Sequence, residues 1–399
     1  MMKLPWTFSQ AIFSSAYFNP ILMRSVLVLI VLLSCSTTAL AHKPSDSFLN
    51  IERNAASWQL RWDIALRDLE FAIGLDSDQN GRLTRGEVNN QAQKIGAYAL
   101  SRLQFTAAGF TCDTSFNSFE TRRLDDGSYA SLFITAQCPG THAIELDYSL
   151  FFDLDPTHRG LVNILDNNQS FSHVLSNTDH LLTLDSSDWS PWVTLYSFVN
   201  EGVRHIWSGF DHILFLLTLL LPAVLFLKNG RWQSANRLSD ALINTLKIVT
   251  AFTLAHSITL SLATLQILTL PSRFVESMIA FSVIVAAINN LLPIFRGSRW
   301  IVAFGFGLIH GFGFATVLQD LGLSTNQLAL SLLGFNLGVE LGQLVIVAAF
   351  LPLAFLIRES AIYRWGFLRA GSVMAVAVAS VWLFERLFNY QLFEILTAV

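Results

Sequence analysis

Groups able to bind metal or carry protons recur inside the apolar second half of this chain: His205, Asp211 and His212 in one stretch, His256 and Ser257 in the next, Glu276 opening a third, His310 in a fourth, and Asn336, Glu340 and Gln343 in a fifth. Ionisable side chains are costly in hydrocarbon and read as functional by default. Any one of them could simply hydrogen-bond a neighbouring helix, but four histidines and three carboxylates over five stretches point to a site. Imidazole nitrogen suits nickel, copper, zinc or iron, and carboxylate oxygen supplements it. His205 and His212 are seven residues apart, so on a straight helix they share a stripe but stand about 10.5 Å apart along the axis at 1.5 Å per residue. That spacing predicts successive stations on a path, with Asp211 a ligand or the group that orients His212. Gly305, Gly307, Gly311 and Gly313 surround His310 and would permit close helix approach or local unwinding.

The elements that must hold these residues are membrane helices. Hydrophobic residues make up 52% of the 399-residue chain and charged ones 14%, with the apolar excess after Trp192. Apolar segments near residues 206–227, 248–268, 275–295, 300–319, 328–357 and 366–387 predict six spans in a domain over residues 200–399. Lys and Arg gather in the first, third and fifth connections, which makes those cytoplasmic. Ahead of the spans, Arg24, the run Val26 to Leu33 and Ala39-Leu40-Ala41 read as an export signal over residues 1–41. Met23 is an alternative start, and Leu33-Ser34-Cys35 weakly resembles a lipoprotein site. Both the domain over residues 42–195 and the carboxyl terminus are then expected in the periplasm, on the outer side of a bacterial inner membrane. Cleavage after Ala41 would expose an amino group beside the His42 imidazole, a pair able to chelate copper or nickel, although a frayed terminus is the simpler reading.

Residues 42–200 carry 11 Lys and Arg against 20 Asp and Glu. Such a surface argues against nucleic acid and favours cations, or is merely a solvated face. Alternation from Ser47 to Leu66, with Trp58, Leu60, Trp62 and Ile64 on one side, predicts a half-buried strand, and shorter alternating segments follow from Tyr129 onward. A helical interlude from about Arg67 to Ala107 separates them. The expected fold class is therefore an all-α six-helix transmembrane bundle preceded by a β-sandwich-like periplasmic domain with an EF-hand-like helical insertion. Inside the interlude, residues 76–87 match a calcium loop: Asp76, Asp78, Asn80, Thr84 and Glu87 at positions one, three, five, nine and twelve, the Arg82 carbonyl at seven, and Gly81 at the turn. A polar turn of similar composition is the alternative. Cys112 and Cys138 remain after export and predict one disulfide. Asp153, Asp155 and His158 gather before Gly160 as a turn with ion pairs or a weak metal site.

The membrane half resembles the HupE/UreJ family of hydrogenase and urease accessory membrane proteins, in its longer branch with an exported domain. The resemblance rests on His205-x3-Gly209-x-Asp211-His212, Ala255-His256-Ser257, His310-Gly311-Phe312-Gly313-Phe314-Ala315, and Phe335-Asn336-x-Gly338-x-Glu340-x-Gly342-Gln343. Short members carry proline after the first histidine, where this chain has Ile206. The resemblance implies a permease for a divalent metal, nickel first, with cobalt or zinc behind it, and metalloenzyme-maturation proteins as partners. Asp211 and His212 are expected as principal ligands, His205 as the entrance, and His256, His310 and Glu340 as the rest of the route. Two other classes fit the residues: an intramembrane zinc hydrolase using three His, a carboxylate base and Ser257, and an assembly factor that docks a partner without flux.

Overall fold

The structure, a computed structural model, describes residues 45–54, 57–107, 109–124, 127–138, 144–166, 169–183, 190–228, 231–295, 297–315 and 325–388. The expected export signal and His42 lie outside the described residues.

The expected strand from Ser47 to Leu66 is two strands, β1 (Asp46–Asn54) and β2 (Ser57–Ala65), paired antiparallel with Leu49 opposite Trp62 and Ile51 opposite Leu60. The alternation is real, but it runs through a hairpin. The interlude holds α1 (Leu66–Ile73), α2 (Arg85–Asn90) and α3 (Ala92–Leu100), and then stops short of Ala107. Leu103–Ala107 is instead β3, whose Leu103, Phe105 and Ala107 are buried on one side as period-two spacing demands.

β4 (Phe110–Thr111) leads into β5 (Asp113–Leu124), a strand without clean alternation because a bulge between Phe116 and Ser118 shifts its register against β6 (Gly127–Gln137). With β7 (Ile144–Tyr148), β8 (Arg159–Asp166), β9 (Gln169–Leu175) and β10 (Leu181–Thr183), the strands form two sheets, β5-β6-β2-β1-β8-β9 and β10-β7-β3-β4. Leu49, Ile51, Leu60 and Trp62 from the first meet Phe105, Leu146 and Tyr148 from the second in one core. The predicted disulfide is present, joining Cys112 ahead of β5 to Cys138 after β6.

The larger sheet buries its other face too. Phe48, Leu161, Val174, Tyr129 and Leu124 project there and pack with Phe198, Ile206, Phe314, Phe335 and Val339 of the helical half. β1 and β8 therefore bury apolar residues on both faces.

The helical half begins with α4 (Pro191–Ser208), capped by the Ser190 hydroxyl on the Trp192 amide, with proline at the first helical position. It continues through α5 (Phe210–Leu220), a β11–β12 hairpin (Leu225–Lys228, Arg231–Ser234), α6 (Leu238–Thr264), α7 (Ser272–Leu291), α8 (Arg299–His310) with a 3₁₀ turn (Gly311–Phe314), α9 (Thr325–Ile357), and a π-helical stretch (Ile362–Ala370) running into α10 (Gly371–Phe388). Four helices among the described residues are long and apolar enough to cross a membrane: 238–264, 272–291, 327–357 and 362–388. The first and fourth expected spans correspond to shorter apolar helices, Phe210–Leu220 and Arg299–Phe314. The first expected segment, 206–227, is cut at Gly209 and ends in the hairpin. Its 11-residue helix α5 covers about 16 Å, roughly half the hydrocarbon thickness.

Candidate metal centre

The helix carrying His205 does not continue to His212. Gly209 leaves helical geometry with φ −78° and ψ 97°, ending α4 and opening α5. Asp211 stabilises the new start: its Oδ1 accepts from the His212 backbone amide at 2.8 Å, serving a donor that a fresh helix start leaves unpaired. The break folds one ring back toward the other, and the His205 and His212 ring centroids stand 4.5 Å apart. The straight-helix expectation of two separate stations is thus corrected, because one non-helical residue replaces the axial rise with a turn.

His256 arrives from α6 and completes a group in which one ring nitrogen each from His205, His212 and His256 lies within 4.8 Å of the others. Hydrogen bonds decide which nitrogens are open. His212 Nδ1 donates to Asp211 Oδ1 at 2.9 Å, and His256 Nδ1 donates to Asn336 Oδ1 at 3.3 Å. Asn336 is itself oriented, since its Nδ2 donates to the Leu332 carbonyl at 2.8 Å. The Nε2 atoms of His205, His212 and His256 are buried and have no hydrogen-bond partner among the described residues. No group among the described residues donates a proton to these enclosed nitrogens, which leaves three imidazoles able to serve as ligands for a transition metal.

His310 stands beside this group, its ring 5.5 Å from that of His212. Ser282 Oγ spends its one proton on the Ile279 carbonyl at 2.6 Å, so it accepts from His310 Nε2 at 2.9 Å. That assigns the lone pair to His310 Nδ1, which is buried and unpartnered. Phe215 and Phe252 cover the His310 ring at 4.6 and 5.2 Å, while Phe314 and Phe335, stacked 4.2 Å apart, cover His205 at 4.9 and 5.2 Å. The cluster is walled by aromatics on two sides.

Backbone proximity makes this possible. A Cβ on Gly311 would collide with the Thr259 hydroxyl and the His256 carbonyl, so α8 reaches α6 only because that residue is glycine, and the α-helix tightens to 3₁₀ just there. Gly202 and Gly338 do the same for α4 and α9, each facing the other helix's backbone. Of the glycines around His310, Gly305 has open space and Gly313 touches Ile279.

The remaining expected residues lie elsewhere. Glu340 accepts from the Thr250 hydroxyl at 2.8 Å and Gln343 from Thr253 at 3.1 Å, so with Asn336 and His256 they form a polar seam between α6 and α9. Glu340 is outside the three-nitrogen group. Ser257 donates to the Thr253 carbonyl one turn back at 2.7 Å, and Glu276 pairs with Arg386 at 3.3 Å. Sequence reasoning missed Ser282, for which periodicity carried no signal, and gave Phe314 and Phe335 no role beyond their place in the motifs that carry the resemblance.

In the β-rich half, one carboxylate oxygen each of Asp76, Asp78 and Glu87 lies within 4.8 Å of the others. Gly81 turns the loop at φ +74°, its amide donating to Asp76 Oδ2 at 2.8 Å, while the Arg82 amide donates to Asn80 Oδ1 at 2.7 Å. Thr84 caps α2, and its amide and hydroxyl both donate to Glu87 Oε2, at 2.9 and 2.7 Å. The Thr84 hydroxyl, first, and its amide hold the Glu87 carboxyl below its ordinary pKa. The donor set is all oxygen, as a hard cation requires.

The segment before Gly160 is a turn with ion pairs: Asp153 pairs with Arg102 at 2.7 Å, and Asp155 accepts from Thr157. His158 belongs to a buried hydrogen-bond chain. Ser45 Oγ donates to Asp68, accepts from His158 Nδ1 at 2.6 Å, and thereby leaves His158 Nε2 to accept from the Tyr148 hydroxyl at 2.6 Å. Burial, with Arg159 alongside, pushes the His158 pKa down to about 3.

Comparison with known proteins agrees with the helical half. Residues 178–386 match the family model described as HupE / UreJ protein. No curated protein matches the chain.

Proposed function

Because this chain belongs to the HupE/UreJ family, we propose that it is a membrane permease for a divalent transition-metal ion, with nickel as the first candidate cargo and cobalt or zinc next. The observation that carries this reading is the set of three partnerless Nε2 atoms of His205, His212 and His256, enclosed between helices. Imidazole donors with no thiolate suit these metals, and carboxylate support of His212 by Asp211 raises ligand basicity. Asp211 thus acts through His212 in this reading. The His310 Nδ1 atom is the adjoining station, and the seam through Gln343 and Glu340 offers oxygen donors farther along α6 and α9. Six spans, an exported domain in the periplasm and placement in the inner membrane complete the proposal, supported by the Lys and Arg bias of alternate connections.

Calcium in the loop 76–87 is proposed as a structural ion of the exported domain, held by Asp76, Asp78, Asn80, Thr84, Glu87 and the Arg82 carbonyl. Metalloenzyme-maturation proteins are the proposed partners.

One observation favours a second reading. Three histidine ligands with an open fourth position are the usual protein share of a catalytic zinc site, and Asp211 stands beside them as a carboxylate. Ser257, turned back onto its own helix, is not available to position a substrate in that scheme. Uptake of nickel, cobalt, zinc and copper into proteoliposomes separates the readings. Flux of one metal, abolished in an Asp211→Asn/His212→Ala variant, is expected. A tightly retained zinc with no flux of any metal would overturn the permease in favour of the hydrolase.

A further inference from the structure

Glu201 lies one helical turn before His205 on α4 and is 2% exposed, so its carboxylate requires a partner. That partner comes from the exported domain. Arg159 on β8 directs Nε and one amino group at the two oxygens of Asp46, at 2.8 and 3.1 Å, and its other amino group at Glu201 Oε1. Asp46 stands beside Arg159 because β1 and β8 run parallel with those two residues in register. The sheet therefore aims the guanidinium before the helix meets it. Around this contact His173 bonds Ser197 at 2.8 Å, the Thr194 hydroxyl donates to the Ser172 carbonyl at 3.3 Å, and Ser172 donates to Gln327 on α9 at 2.5 Å. The apolar outer face of the sheet reaches Phe314 and Phe335, the two rings that cover His205.

We infer that Arg159 and Glu201 are positioning residues of the metal centre, through which the exported sandwich sets where His205 stands relative to His212 and His256. The inference rests on the reading of those three histidines as a metal site. Its physical basis is the break at Gly209: once helical hydrogen bonding is interrupted, α5 no longer dictates the orientation of α4, and outside contacts must. Close backbone contact with α9 sets the separation of α4, and the buried ion pair sets its height and rotation.

The test is Co²⁺ binding to the purified full-length protein, followed by affinity and by visible absorption, which reports ligand geometry independently of transport. Glu201→Gln should weaken Co²⁺ by about tenfold, as loss of outer-shell support typically does, and shift the spectrum toward that of His205→Ala. In the His205→Ala background the same substitution should have no further effect on affinity, since it acts through that ring. Arg159→Lys, which keeps the charge but not the fork, should give a smaller loss and serves as the readout if Glu201→Gln does not fold. Binding that is lost in His256→Ala yet indifferent to Glu201→Gln and Arg159→Lys would overturn the positioning role alone. Equal losses in both backgrounds would also overturn it. Failure of the wild type to bind Co²⁺, or binding unaffected by His256→Ala, would overturn the metal reading and this inference with it.

Discussion

Replacing Gly209 with alanine should separate metal affinity from fold stability. The backbone there has a negative φ that alanine can adopt, so the obstacle is space. An added Cβ would stand 2.8 Å from the His205 carbonyl oxygen, 3.0 Å from His212 Nδ1 and 3.1 Å from Asp211 Oδ1, all inside the 3.4 Å at which ordinary contact begins. Overpacking of that kind costs about 1–3 kcal/mol. Alanine also favours the helix over glycine by about 1 kcal/mol, which rewards closing the break. If the helix closes, the two rings move from 4.5 Å toward the roughly 10 Å axial spacing of seven residues. If it stays open, the clash pushes the His212–Asp211 pair away from His205. Either escape parts the nitrogens, and a loss of about 2 kcal/mol corresponds to about thirtyfold weaker binding. Equilibrium dialysis of Ni²⁺ or Co²⁺ against protein in lipid nanodiscs measures the loss, with thermal melting in parallel. The expected result is weaker binding with melting unchanged or modestly lowered, since the gain of about 1 kcal/mol in helix propensity offsets only part of a clash costing about 1–3 kcal/mol. Unchanged affinity and an unchanged Co²⁺ spectrum would refute the claim that the break assembles the site.

Other perturbations address the β-rich half and the helix contacts. Cys112→Ser with Cys138→Ser opens a crosslink spanning 26 residues, and chain entropy puts the loss near 3.5 kcal/mol, to be read from the shift in denaturant midpoint. Calcium should raise the melting temperature of the wild-type protein, and Glu87→Gln should remove that rise; an equal rise in both would exclude the loop as the binding site. Burial lowers the His158 pKa to about 3 from the ordinary 6.5, so between those values the folded imidazole stays neutral while the unfolded chain binds the extra proton. Its contribution is complete above pH 6.5 and is lost as pH falls toward 3, by up to about 5 kcal/mol, and His158→Asn should flatten that slope in acid unfolding. Gly311→Val should force α8 away from α6, seen as a lower melting temperature together with loss of metal binding.

Much of the molecule was legible in its residues because the relevant signals are local. Apolar length marked the membrane helices, alternation marked β2 and β6, and an even pair of cysteines marked the disulfide. Misreadings arose where local pattern was overridden. The bulge in β5 broke its period, the hairpin joining β1 and β2 was read as one continuous strand, and β3 was absorbed into a helical stretch that ended earlier.

For the candidate site, residue chemistry alone nominated His205, Asp211, His212, His256 and His310, since imidazoles in hydrocarbon need a reason to be there. Tertiary structure decided their neighbours. A turn at Gly209 converted two separated rings into neighbours, α6 delivered His256, hydrogen bonds assigned the open nitrogen of His212, His256 and His310, and Glu340 was drawn to Thr250 instead. None of these follows from spacing along the chain, because convergence of these side chains depends on one residue's backbone angles and on contacts between helices distant in sequence.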